Sequence, residues 1–333
     1  MKINRLITNK ITFPKNTHYA AIIGTSPSKS ARSPKLWNKV YKKLKSKTKM
    51  IPLDVKKKEL KKLMRVLKKD KNYLGGSVTI PYKEEIIKHL DKIDTKAKLI
   101  GSVNTVVRKG KILIGHNTDY YGSFSTLKKM KINKRKKNIL IIGCGGAGKS
   151  VILSVDNYFN QSNILVMNRN FIKVKKFVKN FSSRRNKIKV LKDQSEIISN
   201  NLDLIINCSS LGFDEWTGNI NNFINKIYSS PLSLNQKLNS TRQKNLHQFF
   251  EKNKKNYFYS LGETIHILSK NKKVKVFDII FKPEETILLR ISKIMNLNFI
   301  NGKYMNLIQA VAGFSIVNNY NVKKNIERCM SND

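Results

Sequence analysis

Residues able to do chemistry cluster at three places in this chain. Lys83 follows the apolar run GSVTIP at a predicted strand-to-helix junction, and Asp119 directly follows the apolar strand KILIG and the residues HNT. A lysine at the C-terminal end of a strand in an alternating α/β unit is placed for a site. Most other lysines read as solvent-exposed decoration. Asp119 has two readings, a helix N-cap, which is the common role for Asp there, and a catalytic carboxylate. The third place is ILIIGCGGAGKS, residues 139–150, which fits two phosphate-binding patterns at once. As G-x-G-x-x-G its glycines are Gly143, Gly145 and Gly148, and as G-x-x-x-x-G-K-[ST] it ends in Lys149 and Ser150. Both aim backbone N–H groups and a helix N-terminus at phosphate. The first implies hydride transfer and the second phosphoryl transfer.

The strands that follow discriminate between them. A P-loop enzyme needs a further strand ending in an Asp that holds Mg²⁺. Asp203 opens the run LDLIINCSS, and Asp278 is expected inside the strand VKVFDIIF, so neither ends one. The strand ILVMN ends instead in Asn168-Arg169, about 20–25 residues beyond the glycines, where a dinucleotide fold reads the adenosine ribose. An acidic residue there would repel a 2′-phosphate, whereas Arg169 offers a planar fork of donors suited to one. The pattern predicts NADP rather than NAD.

The elements that must position these residues alternate. Strands are expected at YAAIIG (19–24), Met50–Val55, GSVTI, a hairpin SVNTVV/KILIG turning at Lys109-Gly110, the glycine strand, ILVMN, LDLIINCSS and 274–281. Helices are expected over LWNKVYKKL with Ser33 as N-cap and Pro34 in the first turn. Further helices are expected over 57–70 with Leu60, Leu63, Met64 and Leu67 on one face, and from Pro81 with Glu84 and Glu85 in the first turn. An amphipathic helix is expected at 149–159, and others end near Phe181, open at Pro283 and cover MNLIQAVAGFSIV. The tail beyond Asn318 is expected to fray. Residues 213–273 show no clear period and read as an enlarged, partly helical or mobile connection. Strands alternating with helices predict an α/β protein with a parallel, doubly wound sheet.

With 333 residues the chain can hold one large domain or two ordinary ones. It contains no apolar run of ~18 residues, so no transmembrane helix is expected. The basic N-terminus lacks the apolar region of a secretory signal, and the expected location is cytoplasmic. Cys144, Cys208 and Cys329 show no metal spacing, and no metal is expected. The net charge of +45 is mostly Lys, spread over every segment together with abundant Asn and Ile. Aromatics are not interleaved with a basic stripe, as a single-strand binder requires. The charge is therefore read as an AT-biased composition, and nucleic acid is not expected as a partner.

The segments GGSVTIPYKEE, IGSVNTVV, GHNTDYYGS, GCGGAGK, MNRN, IINCSSLG and FKPEETILL…GKYMNLIQA together resemble shikimate dehydrogenases, in the right order over nearly the whole chain. They are most similar to the dehydrogenase half of bifunctional dehydroquinate dehydratase–shikimate dehydrogenases. No dehydratase half is expected within these 333 residues. The resemblance implies two domains: an α/β substrate domain of residues 1–118 plus 303–333, and a Rossmann-type NADP domain of residues 119–302 carrying a basic insertion near 213–272. It implies that Lys83 and Asp119 are a catalytic pair, and that Thr79, Asn104 and Gln309 bind substrate hydroxyls. It implies cofactor contacts at Gly143, Gly145, Gly146, Ala147, Gly148, Asn168, Arg169, Ser209 and Gly302. The implied reaction is reversible NADPH-dependent reduction of 3-dehydroshikimate to shikimate (EC 1.1.1.25) in chorismate biosynthesis, by a monomer or homodimer.

The chain departs from the family pattern at three positions. The S-x-S-P serine pair, which grips the substrate carboxylate in the family, is here KSARSP. Ser33 keeps its place, Ala31 occupies the other, and Ser30 takes the role only if one residue bulges. The tyrosine of D-x-x-Y, another carboxylate contact, is Phe281. Ser77 stands where many relatives have Asn. The changes at Ala31 and Phe281 raise quinate, or another cyclic hydroxy acid, as an alternative substrate.

Overall fold

The computed structural model describes residues 3–14, 17–181, 183, 185–192, 195–198, 201–213, 229–232, 246–321 and 323–331. The chain divides into two compact units, Met1–Ser125 with Met305–Asp333, and Thr126–Tyr304.

The first unit is built on a six-stranded sheet: β1 (Tyr19–Gly24), β2 (Lys49–Asp54), β3 (Tyr73–Val78), β4 (Lys92–Ile93), β5 (Thr105–Lys109) and β6 (Ile112–His116), in the order β2-β1-β3-β5-β6-β4. The sheet is mixed. β1 pairs parallel with β2 and β3, while β5 runs antiparallel to β3 and β6. The antiparallel step follows from the hairpin, which turns at Gly110 with φ +58°. Every residue of β1 is buried, which is why YAAIIG reads as an unbroken apolar run rather than an alternation. The helix Leu60–Lys69 buries Leu60, Leu63, Met64 and Leu67 and leaves its lysines outside. Each such side chain stabilises the unit by about 1.5–3 kcal/mol.

The second unit carries a wholly parallel sheet: β7 (Asn138–Ile142), β8 (Asn163–Met167), β9 (Lys187–Val190), β10 (Leu204–Asn207), β11 (Lys275–Asp278) and β12 (Phe299–Ile300). Its order is β12-β11-β10-β7-β8-β9. Counted from β7, this is the 3-2-1-4-5-6 order of a dinucleotide-binding sheet, and it reverses between β7 and β10. Ligands of such sheets bind beyond the carboxyl ends of the strands at that reversal.

The structure corrects several sequence expectations. No α-helix opens at Pro81. Residues 81–84 form turns and Glu85–His89 a 3₁₀ helix, because the Lys83 carbonyl accepts the Val103 N–H and is engaged by the strand region. Ser33 is the first residue of its helix rather than the cap, and no side chain caps that end. A short helix, Pro27–Ser30, occupies the polar segment between β1 and that helix. The helix Gly146–Tyr158 is buried along nearly its whole length rather than amphipathic.

The tail does not fray at Asn318, since Lys323–Ser331 is helical with Ile326 and Met330 buried one turn apart. Within the aperiodic stretch, Leu246–Lys270 is a 25-residue helix. Its inward positions Asn253, Tyr257, Ser260, Thr264, Ile267 and Leu268 are buried at helical spacing. Half of them are polar, so hydropathy did not reveal the period. Residues 214–228 and 233–245 of that stretch lie outside the described residues.

Candidate active site

Lys83 and Asp119 meet in the first unit. Lys83 leaves the sheet just after β3, and Asp119 opens the helix Asp119–Lys129 just after β6. Their side chains join at 2.5 Å, Nζ to Oδ2, with Asp119 buried and Lys83 half-buried. The other carboxylate oxygen accepts Asn104 Nδ2 at 2.8 Å. Asn104 is a hub at the start of β5. Its Oδ1 accepts the Thr118 N–H at 2.7 Å and the Thr105 hydroxyl at 3.2 Å, and its Nδ2 also donates to Gln309 Oε1 at 3.3 Å. Gln309 lies on the helix Lys303–Asn318 and also receives the Thr118 hydroxyl at 3.5 Å. Four segments far apart in sequence thus present one ammonium, one carboxylate and two amides together. A cation held by a carboxylate beside amides able to bond hydroxyls can polarise a carbonyl and pass a proton to it.

The elements around the pair hold it in place. His116 Nδ1 and Asp94 Oδ2 lie 2.7 Å apart, bracing the end of β6, and Asp94 also caps the helix Thr95–Ile100 through the Ala97 N–H. Burial raises the Asp94 carboxyl, but the His116 ring and the Ala97 N–H outweigh it and hold it below its ordinary range. Thr79 is half-buried, and its N–H donates to the Ile23 carbonyl. Ser77 is buried in β3, opposite Thr105. Ser33 is buried, while Ser30 and Ala31 are half-buried.

Two contacts here went unread in the sequence. Buried Asp54 at the end of β2 accepts the Ser28 N–H at 2.9 Å and the Ser28 hydroxyl at 2.5 Å, fixing the short helix before Ala31. Arg32 Nη1 donates to Asn306 Oδ1 at 3.3 Å. Neither pair has a local sequence signal, because the partners are 26 and 274 residues apart.

The glycine stretch of the second unit lies at the sheet reversal. Gly143 has φ +99°, and a Cβ there would meet the backbone of Cys208 and Ser209 at 2.8 Å. A Cβ on Gly148 would meet the Gly143 carbonyl oxygen at 2.2 Å. These two glycines are required by the protein's own packing. Gly145 is not: its φ is −78° and nothing lies within 4 Å of its Cβ position. It caps the helix Gly146–Tyr158 without a side-chain bond, and no acidic residue sits in the first turn. Gly146, Ala147 and Gly148 therefore begin a helix whose N–H groups face an open cradle, which fits a pyrophosphate. Asn168 braces the turn by accepting the Cys144 N–H at 3.1 Å, and Arg169 beside it is exposed. Ser209, across the reversal, donates its N–H and hydroxyl to Asn207 Oδ1 at 2.9 and 2.7 Å. Gly302 is a packing glycine. Its Cβ would lie 1.9 Å from the Ile279 carbonyl oxygen, and its N–H donates to Ile280.

Asp278, expected inside its strand, instead ends β11, as a P-loop carboxylate would. That carboxylate, however, is fully buried and engaged by Asn207 Nδ2 at 3.0 Å, the Ile280 N–H at 3.0 Å and the Thr286 hydroxyl at 2.8 Å. Burial pushes its pKa up to about 6 against those donors. The Ser150 hydroxyl donates back to the Gly146 carbonyl within the helix. Among the described residues no cluster of His, Cys, Asp and Glu could hold a metal, and no helix is long and apolar enough to cross a membrane.

Comparison with known proteins gives the same family from independent regions. Residues 22–106 match the model of the shikimate dehydrogenase substrate binding domain, and residues 126–212 that of shikimate / quinate 5-dehydrogenase. The shikimate dehydrogenase (NADP(+)) of Nitrosopumilus maritimus is 31% identical over 299 residues, 89% of this chain and 91% of that protein. The chain belongs to the shikimate dehydrogenase family. The enzyme of the same name from Methanosphaera stadtmanae is 29% identical over 90% of the chain and 91% of its own length. A shikimate dehydrogenase crystallised with NADP+ superposes with a TM-score of 0.69 at 25% identity, covering 94% of each chain.

Proposed function

We propose that this protein is an NADP-dependent shikimate dehydrogenase, reducing 3-dehydroshikimate to shikimate reversibly in chorismate biosynthesis. The observation that carries the reading is the Lys83–Asp119 pair, tied through Asn104 to Gln309. Bound NADPH supplies the hydride, two electrons and one hydrogen, to the ketone carbon. The carbonyl oxygen then carries the negative charge. Lys83 is the cation that stabilises this oxygen, and Lys83 with Asp119 delivers the proton that completes the alcohol. Asp119 keeps the ammonium oriented, and Thr79, Asn104 and Gln309 order the ring hydroxyls. Ser33 belongs to the carboxylate end of the substrate.

In the second unit, Gly143, Gly145, Gly146, Ala147 and Gly148 cradle the pyrophosphate. Asn168 holds the turn, Arg169 takes the 2′-phosphate, and Ser209 borders the reversal. The enzyme acts in the cytoplasm on a small molecule, without metal. Ala31 and Phe281 favour a second reading, a relative with quinate or another cyclic hydroxy acid as its better substrate.

A spectrophotometric assay with shikimate and quinate, each with NADP⁺ and NAD⁺, separates these readings. Shikimate with NADP⁺ is expected to be turned over fastest, and folded protein with no shikimate-dependent NADPH signal would defeat the proposal. Arg169→Ala should weaken NADP⁺ by roughly tenfold or more, the loss of a charged hydrogen bond, and leave NAD⁺ nearly unchanged. Equal weakening of both would remove Arg169 from the phosphate role.

A further inference from the structure

The site described above contains an internal charge balance that its proposed substrate upsets. Lys83 and Asp119 neutralise each other at 2.5 Å, and Asn104, Gln309 and Thr118 are uncharged. Shikimate and its ketone carry a carboxylate that is ionised at neutral pH. Placing a carboxylate in a partly buried site without a cation is costly, and a second anion beside Asp119 would compete with it for Lys83. Relatives take up that carboxylate with neutral hydroxyls, and this chain has lost the one at Ala31, so another donor, best a cation, is called for at the far end of the substrate ring.

Arg32 stands where that cation belongs. It is the residue just before the helix Ser33–Lys43, next to buried Ser33, and is itself half-buried. Its Nη1 donates to Asn306 Oδ1 at 3.3 Å. Asn306 and Gln309 are three residues apart on the helix Lys303–Asn318 and share one face, about 5–6 Å apart between Cβ atoms. Gln309 is bonded to Asn104, and Asn104 to Asp119. The bond to Asn306 thus ties the guanidinium to the same helix face as Gln309, about one helical turn from the amides bonded to the catalytic pair. That spacing is of the size separating the carboxylate of a six-membered ring from its ring hydroxyls. A guanidinium presents a planar fork that matches a carboxylate with two parallel hydrogen bonds. A bond at one nitrogen to a helix-borne amide fixes the plane of that fork.

The segment before it is fixed as well. Ser28 is tied to Asp54 through both its N–H and its hydroxyl, so the backbone entering Arg32 starts from an anchored turn.

We propose that Arg32, oriented by Asn306, binds the substrate carboxylate and makes the enzyme selective for an acidic ring. The inference rests on the dehydrogenase reading. It also accounts for how the chain dispenses with a hydroxyl at Ala31, since a charged fork replaces a neutral contact.

The test compares shikimate with its methyl ester, which keeps every ring hydroxyl but carries no charge. Arg32→Ala should raise KM for shikimate roughly 10- to 100-fold, the range for a charge-assisted hydrogen bond, with kcat within about threefold. KM for the ester should be unchanged within the same factor. Arg32→Lys, which keeps the charge and loses the fork, should fall between. A rise that is equal for acid and ester, or no rise for either, would overturn the role of Arg32 while leaving the dehydrogenase reading intact. Wild-type protein that turns over neither compound would defeat both.

Discussion

At the level of single residues, the proposed chemistry is assigned to the pair Lys83–Asp119, and its removal has a definite signature. Lys83→Ala should lower kcat on the order of 10²–10⁴-fold, the usual share of a positioned acid–base group, with a circular-dichroism melt close to that of the parent. A loss under about tenfold would take the proton and charge work away from Lys83. Lys83, Asp119, Asn104 and Gln309 were legible as candidates because each sits in a motif of distinctive composition. Their mutual bonds were not legible, nor were Asp54–Ser28 and Arg32–Asn306, because sequence pattern carries no record of contacts between distant segments.

Asp278 is the plainest case of a misread residue, taken as mid-strand when it ends β11. Its folded pKa of about 6 lies above the ordinary value of 3.8 because it is buried. A carboxyl raised in this way binds its proton more tightly in the folded chain. Its contribution is therefore most favourable below about pH 3.8 and is lost as pH rises through about 6, roughly 3 kcal/mol across the window. Urea midpoints of wild type and Asp278→Asn at pH 4, 5, 6 and 7 should show the wild type falling relative to the variant as pH rises. Parallel profiles would show that Asp278 does not titrate in this window.

At the level of elements, β1, β7 and β10 are buried on both faces, where an apolar run leaves no ambiguity, while β6 alternates and reads from its place in the hairpin. The short edge strands Lys92–Ile93 and Phe299–Ile300 are two residues each and carry no period. The helix Leu246–Lys270 was hidden by the polar residues on its inner face. The turn after β7 shows how an element can be separated into fold and function. Gly148→Ala drives a methyl to 2.2 Å from a backbone oxygen, an overpacking that should destabilise by about 1–3 kcal/mol. Gly145→Ala meets no protein atom and needs no unusual backbone, so its stability should change by less than about 0.5 kcal/mol. Its NADP⁺ affinity should nonetheless fall, since the methyl would stand in the open cradle at the helix N-terminus. Unfolding midpoints paired with NADP⁺ titrations distinguish the two glycines. A Gly145→Ala variant that binds NADP⁺ like the parent would remove the pyrophosphate from that cradle.

At the level of the whole molecule, charge is the dominant feature. The chain has 66 Lys and Arg against 21 Asp and Glu, so one-to-one pairing of every carboxylate still leaves an excess of 45. The excess is distributed rather than gathered: Lys61, Lys62, Arg65, Lys68 and Lys69 lie on one helix of the first unit, and Lys173, Lys175, Lys176 and Lys179 on one helix of the second. Like charges on a folded surface repel, and unfolding relieves the repulsion by spreading them apart. Salt screens this at a Debye length of about 10 Å at 0.1 M and about 3 Å at 1 M. Exposed ion pairs such as Lys62–Glu59 and Lys293–Glu285 pull the other way, but each contributes at most about 1 kcal/mol and they are outnumbered. The melting temperature should therefore rise between about 10 mM and about 0.5 M NaCl and flatten once the Debye length falls below neighbouring-charge distances. Binding to duplex DNA at low salt should vanish over the same range with a steep log–log slope, leaving NADP⁺ affinity untouched. A melting temperature that falls with salt would mean that the ion pairs, not the excess, govern stability. DNA binding that survives 0.5 M salt would mean that the basic surface is a selected interface rather than a mark of composition.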